Sequence, residues 1–235
     1  MTTIALTNHD TRASRALDLR AVLGLLTCAT GLIDAASYLG MGHVFVANMT
    51  GNVVFLGFAL AGAEGFSLAS FAVALGSFLV GAALGGRLGV ALSSRRRRWL
   101  IAAASVQVTL AGTATITVAG AGLDTTGVAR LAVIALLAVG MGAQNATVRR
   151  LAVPDLTTTV LTMTLTGLAA DSSAAGGTNP RLTRRITAVA ATLVGAAIGA
   201  VLVLHAGVVA ALAVLTAVYA VPGVGFAVLG EEATA

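Results

Sequence analysis

Stretches of about twenty apolar residues recur along this chain, separated by short polar interruptions, and no other feature limits its fold so severely. A helix rises 1.5 Å per residue, so about twenty residues cross a hydrocarbon core of ~30 Å. Six stretches qualify: about Ala21 to Gly42, Phe66 to Ala91, Trp99 to Gly122, Val128 to Val148, Ile186 to Leu204 and Val208 to Leu229. With 57% hydrophobic residues, 10% charged residues and a mean hydropathy of +0.96, a soluble fold would lack the polar surface to cover itself. The sequence therefore predicts an all-α integral membrane protein.

Two further segments fit a bilayer poorly. His43 to Gly62 and Pro154 to Asp171 are apolar overall but carry polar residues through their first halves. Whether they cross or turn back is decided by charge. All fourteen basic residues are Arg. If all eight segments crossed, seven Arg would face each side. If the two polar segments dip in and return, every Arg except Arg130 falls on the side of both termini, which obeys the positive-inside rule. Six spans are expected, with both termini cytoplasmic. The run Ser93 to Arg98, followed by Trp99, then marks a cytoplasmic loop between the second and third spans. Residues 1–19 read as a polar cytoplasmic tail, because the apolar run behind them is too long for a signal peptide core and contains Asp34.

The chain also resembles itself. Residues 79–85 read LVGAALG and residues 193–199 read LVGAAIG, an offset of 114. Gly31 and Asp34 stand opposite Gly142 and Asn145 at an offset of 111, and Thr50 opposite Thr162 at 112. Collinear matches of this kind predict a duplication, with residues 20–122 as one half, 128–230 as the other and 231–235 as a short tail. A unit of three crossings must invert when repeated, so the expected architecture is a 3+3 inverted repeat whose halves each carry a broken or re-entrant polar segment. Such backbone is tolerated at membrane depth only where protein or a water-filled cavity covers it.

Candidate chemistry lies in those breaks. Asn48, Thr50 and Asn52 supply cap and turn groups ahead of a short apolar run. Asn145, with Gln144 beside it, stands at the repeat position of Asp34. Thr157, Thr158, Thr159, Thr162 and Thr164 line the second segment. Amides, hydroxyls and the free N–H groups of a half-helix suit a small polar solute, an anion included. Asp34 lies deep in the first span, where an ionisable group must pair, face water or stay protonated, so it is a candidate for proton coupling. The bland alternative for Asp34 is a hydrogen bond to Ser37 or Thr30.

Other functions find little support. The Arg residues flank apolar spans without aromatic interleaving, so nucleic acid is not an expected partner. The Gly81 to Gly86 stretch follows no strand and precedes no Lys-Ser/Thr pair, so it is no phosphate loop. Cys28 is the lone cysteine, His43 and His205 sit at span ends, and no nucleophile, base and metal set is present. No cofactor and no enzymatic activity are expected. Pro222 and Gly223 are expected to kink the last helix.

The motifs Gly31-Leu-Ile-Asp-Ala-Ala-Ser-Tyr-Leu, Gly42-His-Val-Phe-Val-Ala-Asn-Met-Thr-Gly-Asn and Gly142-Ala-Gln-Asn-Ala together resemble the bacterial YoaK-like transmembrane proteins. The resemblance implies six spans and no assigned activity. The residues themselves suggest a secondary transporter or channel for a small polar solute bound near the midplane, where the two polar segments would meet. The alternative is a membrane scaffold or sensor whose Arg95, Arg96, Arg97 and Arg98 hold anionic lipid or a partner.

Overall fold

A computed structural model describes the backbone of residues 2–123, 127–151 and 161–228, with side chains from residue 21 to residue 224 of these. The described residues form seven α-helices and one short 3-10 turn, with no strand: α1 Thr2–Gly40, α2 Met49–Leu60, α3 Leu68–Ala91, α4 Arg96–Ala121, α5 Val128–Leu151, α6 Leu161–Ala170, the turn Ser173–Ala175, and α7 Leu182–Val228. Five stretches are long and apolar enough to cross a membrane: Ala21–Gly40 within α1, all of α3, α4 and α5, and Leu182–Val224 within α7. The polar tail ahead of the first span is itself helical, since α1 begins at Thr2.

The last two expected spans are joined in α7. Its 47 residues would reach ~70 Å as one straight rod, more than twice the apolar core. Gly207, at φ 83° and ψ 170°, breaks the rod into two arms, each long enough to cross. A side chain would make that conformation costly, which is why glycine stands at the corner. The one non-helical residue within α7 is Gly207, and Pro222 and Gly223 keep helical backbone angles. Pro222 instead removes a single hydrogen bond, the one its missing N–H would give to the Val218 carbonyl.

Two helix pairs approach so closely that backbone touches backbone. In the first, α1 lies along the first arm of α7. A Cβ on Gly31 would strike the Thr192 carbonyl, one on Gly195 the Cys28 carbonyl, and one on Gly199 the Leu32 backbone. In the second, α5 lies along α3: Gly142 meets the Phe78 carbonyl, Gly81 the Val139 carbonyl, and Gly85 the Ala143 backbone. Shifting each α1 residue by 111 and each α7 residue back by 114 converts every contact of the first pair into one of the second. One interface copies the other, contact by contact. Both pairs run parallel, since contact numbers rise together along each helix.

The pairs meet in antiparallel fashion. Leu23 packs with Val148, Thr30 bonds Gln144, and Gly42 lies beside Arg130, so the end of α1 adjoins the start of α5. The second arm of α7 also runs against α4, with Thr115 at Thr216 and Ala104 at Gly223. It follows that α1 ends and α3 begins at one end of the bundle. The twelve-residue α2 between them, ~18 Å long, is too short to cross. By the same directions α5 ends and α7 begins at the opposite end. That end holds Arg95 to Arg98, Arg149, Arg150, Arg181, Arg184 and Arg185, whereas Arg130 lies at the other.

Gly31→Ala and Gly142→Ala are expected to destabilise the protein alike, by about 1–3 kcal/mol, since each drives a methyl group into backbone. Gly24 has open space around it. Gly24→Ala should be neutral or stabilising by up to ~1 kcal/mol, through helix propensity alone. Thermal unfolding of the three variants in detergent checks this.

Candidate functional site

On α1, Thr27, Thr30, Asp34 and Ser37 recur at helical spacing and share a face. The hydroxyls turn back on their own helix: Thr27 donates to the Leu23 carbonyl at 2.8 Å, Thr30 to the Leu26 carbonyl at 2.8 Å, and Ser37 to the Asp34 carbonyl at 3.2 Å. Neither Ser37 nor Thr30 therefore bonds the Asp34 carboxylate. Asp34 Oδ1 instead accepts the backbone N–H of Ala47 at 2.8 Å, and the neighbouring amides of Val46 and Asn48 also face it. Successive backbone N–H groups of this kind form a cradle for negative charge.

The segment from Met41 to Asn48 is not helical, in keeping with its β-branched composition, and His43 takes a left-handed φ of 60°. Its backbone groups must find partners outside a helix. Asn52, completely buried, supplies two: Oδ1 accepts the Phe45 N–H at 3.0 Å, and Nδ2 donates to the Phe45 carbonyl at 2.5 Å. Asn48 caps α2 by accepting the Gly51 N–H at 3.3 Å. Stacking of Phe45 on Tyr38 at 4.9 Å and packing of Phe55 against Phe66 and Phe71 seal α2 onto α3. Asn48 and Thr50 remain exposed at the α2 N-terminus.

A second polar group lies deeper in the bundle. Buried Gln107 on α4 donates from Nε2 to the Gly140 carbonyl at 2.7 Å and to Gln144 Oε1 at 3.2 Å. Gln144 on α5 passes the chain to Thr30 on α1 at 3.3 Å. Three helices are thus joined by one line of amides and a hydroxyl. Gln107 was not among the sequence candidates, although it is the one side-chain amide in the third apolar run. Below this line, at the Arg-rich end, opens a cavity of about 50 Å³. Leu23, Leu26, Leu100 and Val148 form much of its wall, with Gln107 and Tyr219 among its polar groups.

Asn145 is half-buried and donates to the Met141 carbonyl of its own helix at 3.0 Å. On α6, Thr164 is buried and Thr162 exposed. Thr157, Thr158 and Thr159 lie outside the described residues. The two half-helices pack on different neighbours, α2 on α3 and α6 on α7, and the first part of the second polar segment, with which the first was expected to meet, lies outside the described residues. Arg185 secures α6, donating to the Gly167 carbonyl at 2.6 Å and pairing with Asp171 at 2.8 Å.

Asp34→Leu should cost about 1–3 kcal/mol, because it strands the Ala47 N–H. Asp34→Asn keeps an acceptor there and should cost clearly less. Unfolding of both variants in detergent distinguishes the two outcomes.

Comparison with known proteins places this geometry. A family model described as "Protein of unknown function (DUF1275)" matches residues 22–224. The curated UPF0700 transmembrane protein YoaK of Bacillus subtilis (strain 168) is 32% identical over 154 residues, which is 65% of this chain and 66% of that protein. The match thus spans just under two thirds of the relative's length. No solved structure matches the chain. Since the family match runs from the first membrane helix into the second arm of α7, the chain belongs to the DUF1275 family of unknown function, as a multi-pass transmembrane protein.

Proposed function

We propose that the protein is a secondary transporter or channel for a small polar solute, built as a six-span 3+3 inverted repeat in a bacterial inner membrane with both termini cytoplasmic. The observation that carries the reading is the buried line Gln107–Gln144–Thr30, which stands between the cavity and the Asp34 cradle. Polar side chains inside a membrane bundle are costly, and they recur where solutes or protons pass. In this reading Asp34, Asn48, Thr50 and Asn52 contact the solute from one half, and Gln144, Asn145, Thr157, Thr158, Thr159, Thr162 and Thr164 from the other. No covalent step belongs to it, and the protein is read as a non-enzyme.

The helix directions support the inverted repeat. With three crossings per half, equivalent helices run antiparallel, as α1 does to α5 and α4 to the second arm of α7. Four crossings per half would make them parallel. The Arg distribution supports a cytoplasmic Arg-rich end. The glycine-packed pairs give two close-packed bodies, α1 with α7 and α3 with α5, joined by a shared hydrophobic core and by hydrogen bonds from Gln144 to Thr30 and from Tyr219 to Met141. Relative movement of two such bodies is how inverted repeats expose a central site to each side in turn. Exposure of Arg95, Arg96 and Arg98 beside the uncapped start of α4 favours a second reading, a scaffold or sensor holding anionic lipid.

Osmotic swelling of proteoliposomes in glycerol, urea and ammonium acetate tests transport. At least one solute should enter faster than into empty vesicles, and Gln144→Leu should reduce that rate by roughly tenfold, the order expected when one buried polar contact of ~1.4 kcal/mol is lost from the path. Rates equal to those of empty vesicles for all three would overturn the reading. For orientation, cysteines placed at Glu64 and Ser93 of a Cys28→Ala protein should label from outside and inside respectively, and the reverse pattern would put the Arg-rich end outside.

A further inference from the structure

We infer that the cavity at the Arg-rich end of the bundle binds a small uncharged solute bearing an N–H or O–H donor, such as an amide, an alcohol or an undissociated short acid, with Gln107 as its hydrogen-bond partner. The polar groups around the cavity argue for a donor. Gln107 Nε2 faces the Gly140 carbonyl, which can only accept, so the orientation of the amide is settled and its Oε1 is left over. Among the described residues nothing donates to that oxygen, and it is not among the atoms sealed from solvent. Gln144 has its oxygen on Gln107 and one amide hydrogen on Thr30, which leaves its second amide hydrogen unspent. Thr147 spends its hydroxyl proton on the Ala143 carbonyl, and Tyr219 gives its own to Met141 Sδ at 3.3 Å. Pro222, which also lines the cavity, deprives the Val218 carbonyl of its helical donor. The walls therefore offer an unused acceptor on Gln107 and one spare amide hydrogen on Gln144, which suits a solute that both donates and accepts.

Charge and size narrow the class further. Among the described residues no charged side chain lines the cavity, and an ion brought there would lose its hydration without gaining a counter-charge from them. Most of the wall is aliphatic and suits a short apolar body. A volume of about 50 Å³ accommodates a few waters, or a solute on the order of five non-hydrogen atoms. The inner boundary is the Gln107–Gln144 bond, so a solute held on Gln107 sits directly against the line that separates the cavity from Thr30 and Asp34. The assignment rests on the transport reading only in treating this site as one end of a path. Binding itself is measured without transport.

The test uses the full chain in detergent and propionamide as probe, with propionate and propylammonium as charged isosteres, followed by ligand-observed NMR. Propionamide should bind saturably and the two ions should not. Gln107→Leu should weaken binding about fivefold, the loss of one neutral hydrogen bond. Since that variant also disturbs the amide line, Ala103→Leu serves as a second, filling the cavity without touching any polar group, and should abolish binding while the protein stays folded. Equal binding of propionate, undiminished binding in Ala103→Leu, or no saturable binding up to ~100 mM overturns the inference. Absent binding with solute flux intact defeats this site alone, whereas saturable binding with no flux defeats the transport reading alone.

Discussion

Helix contact through glycine is the interaction on which the rest of the structure depends. In lipid the hydrophobic effect does not drive helices together, so association relies on close van der Waals approach, which small residues permit. Gly31 and Gly195 let α1 and α7 touch along their backbones, and Gly142 and Gly81 do the same for α5 and α3. Each contact fixes both the register and the direction of a pair. Once the two pairs are parallel within and antiparallel to each other, the placement of every connecting segment at one end or the other follows.

That placement explains the departures from regular helix. Segment 41–67 must leave and return at the same end, so it cannot be a simple span, and its exposed backbone groups need partners inside the protein. Asn52 holds both backbone groups of Phe45, and Asp34 receives the Ala47 amide. The carboxylate that looked like an isolated functional charge is thus also a structural acceptor. Gly207 and Pro222 show two kinds of interruption with different effects: one turns the chain, the other leaves it helical but removes the donor to the Val218 carbonyl.

Polarity inside the bundle is concentrated where the two glycine-packed pairs face each other and α4 joins them. Gln107, Gln144 and Thr30 come from three helices, so their bonds would have to change if the bodies moved. Hydrogen bonds between membrane helices are worth little more than ~0.6 kcal/mol on average, against the extensive packing within each pair.

The apolar runs, the Arg distribution and the offsets of 111 and 114 were legible in the sequence because each is a property of residue order alone: span length, charge on loops and self-similarity need no partner. They determined that the chain is an all-α membrane protein, and they located its polar breaks. Asp34, Asn52 and Gln144 could be singled out because polar groups in apolar runs stand out. Their partners could not, since Ala47 and Phe45 contribute backbone and Gly140 and Thr30 carry no pattern. Gln107 was overlooked because a single amide in a helix has no meaning until a second helix brings Gln144 within 3.2 Å. The tertiary structure alone decided which helices pair, that α2 and α6 pack on different neighbours, and that the cavity lies beside Gln107. Those outcomes depend on which glycine meets which carbonyl across a distance of more than a hundred residues, and local sequence carries no record of that choice.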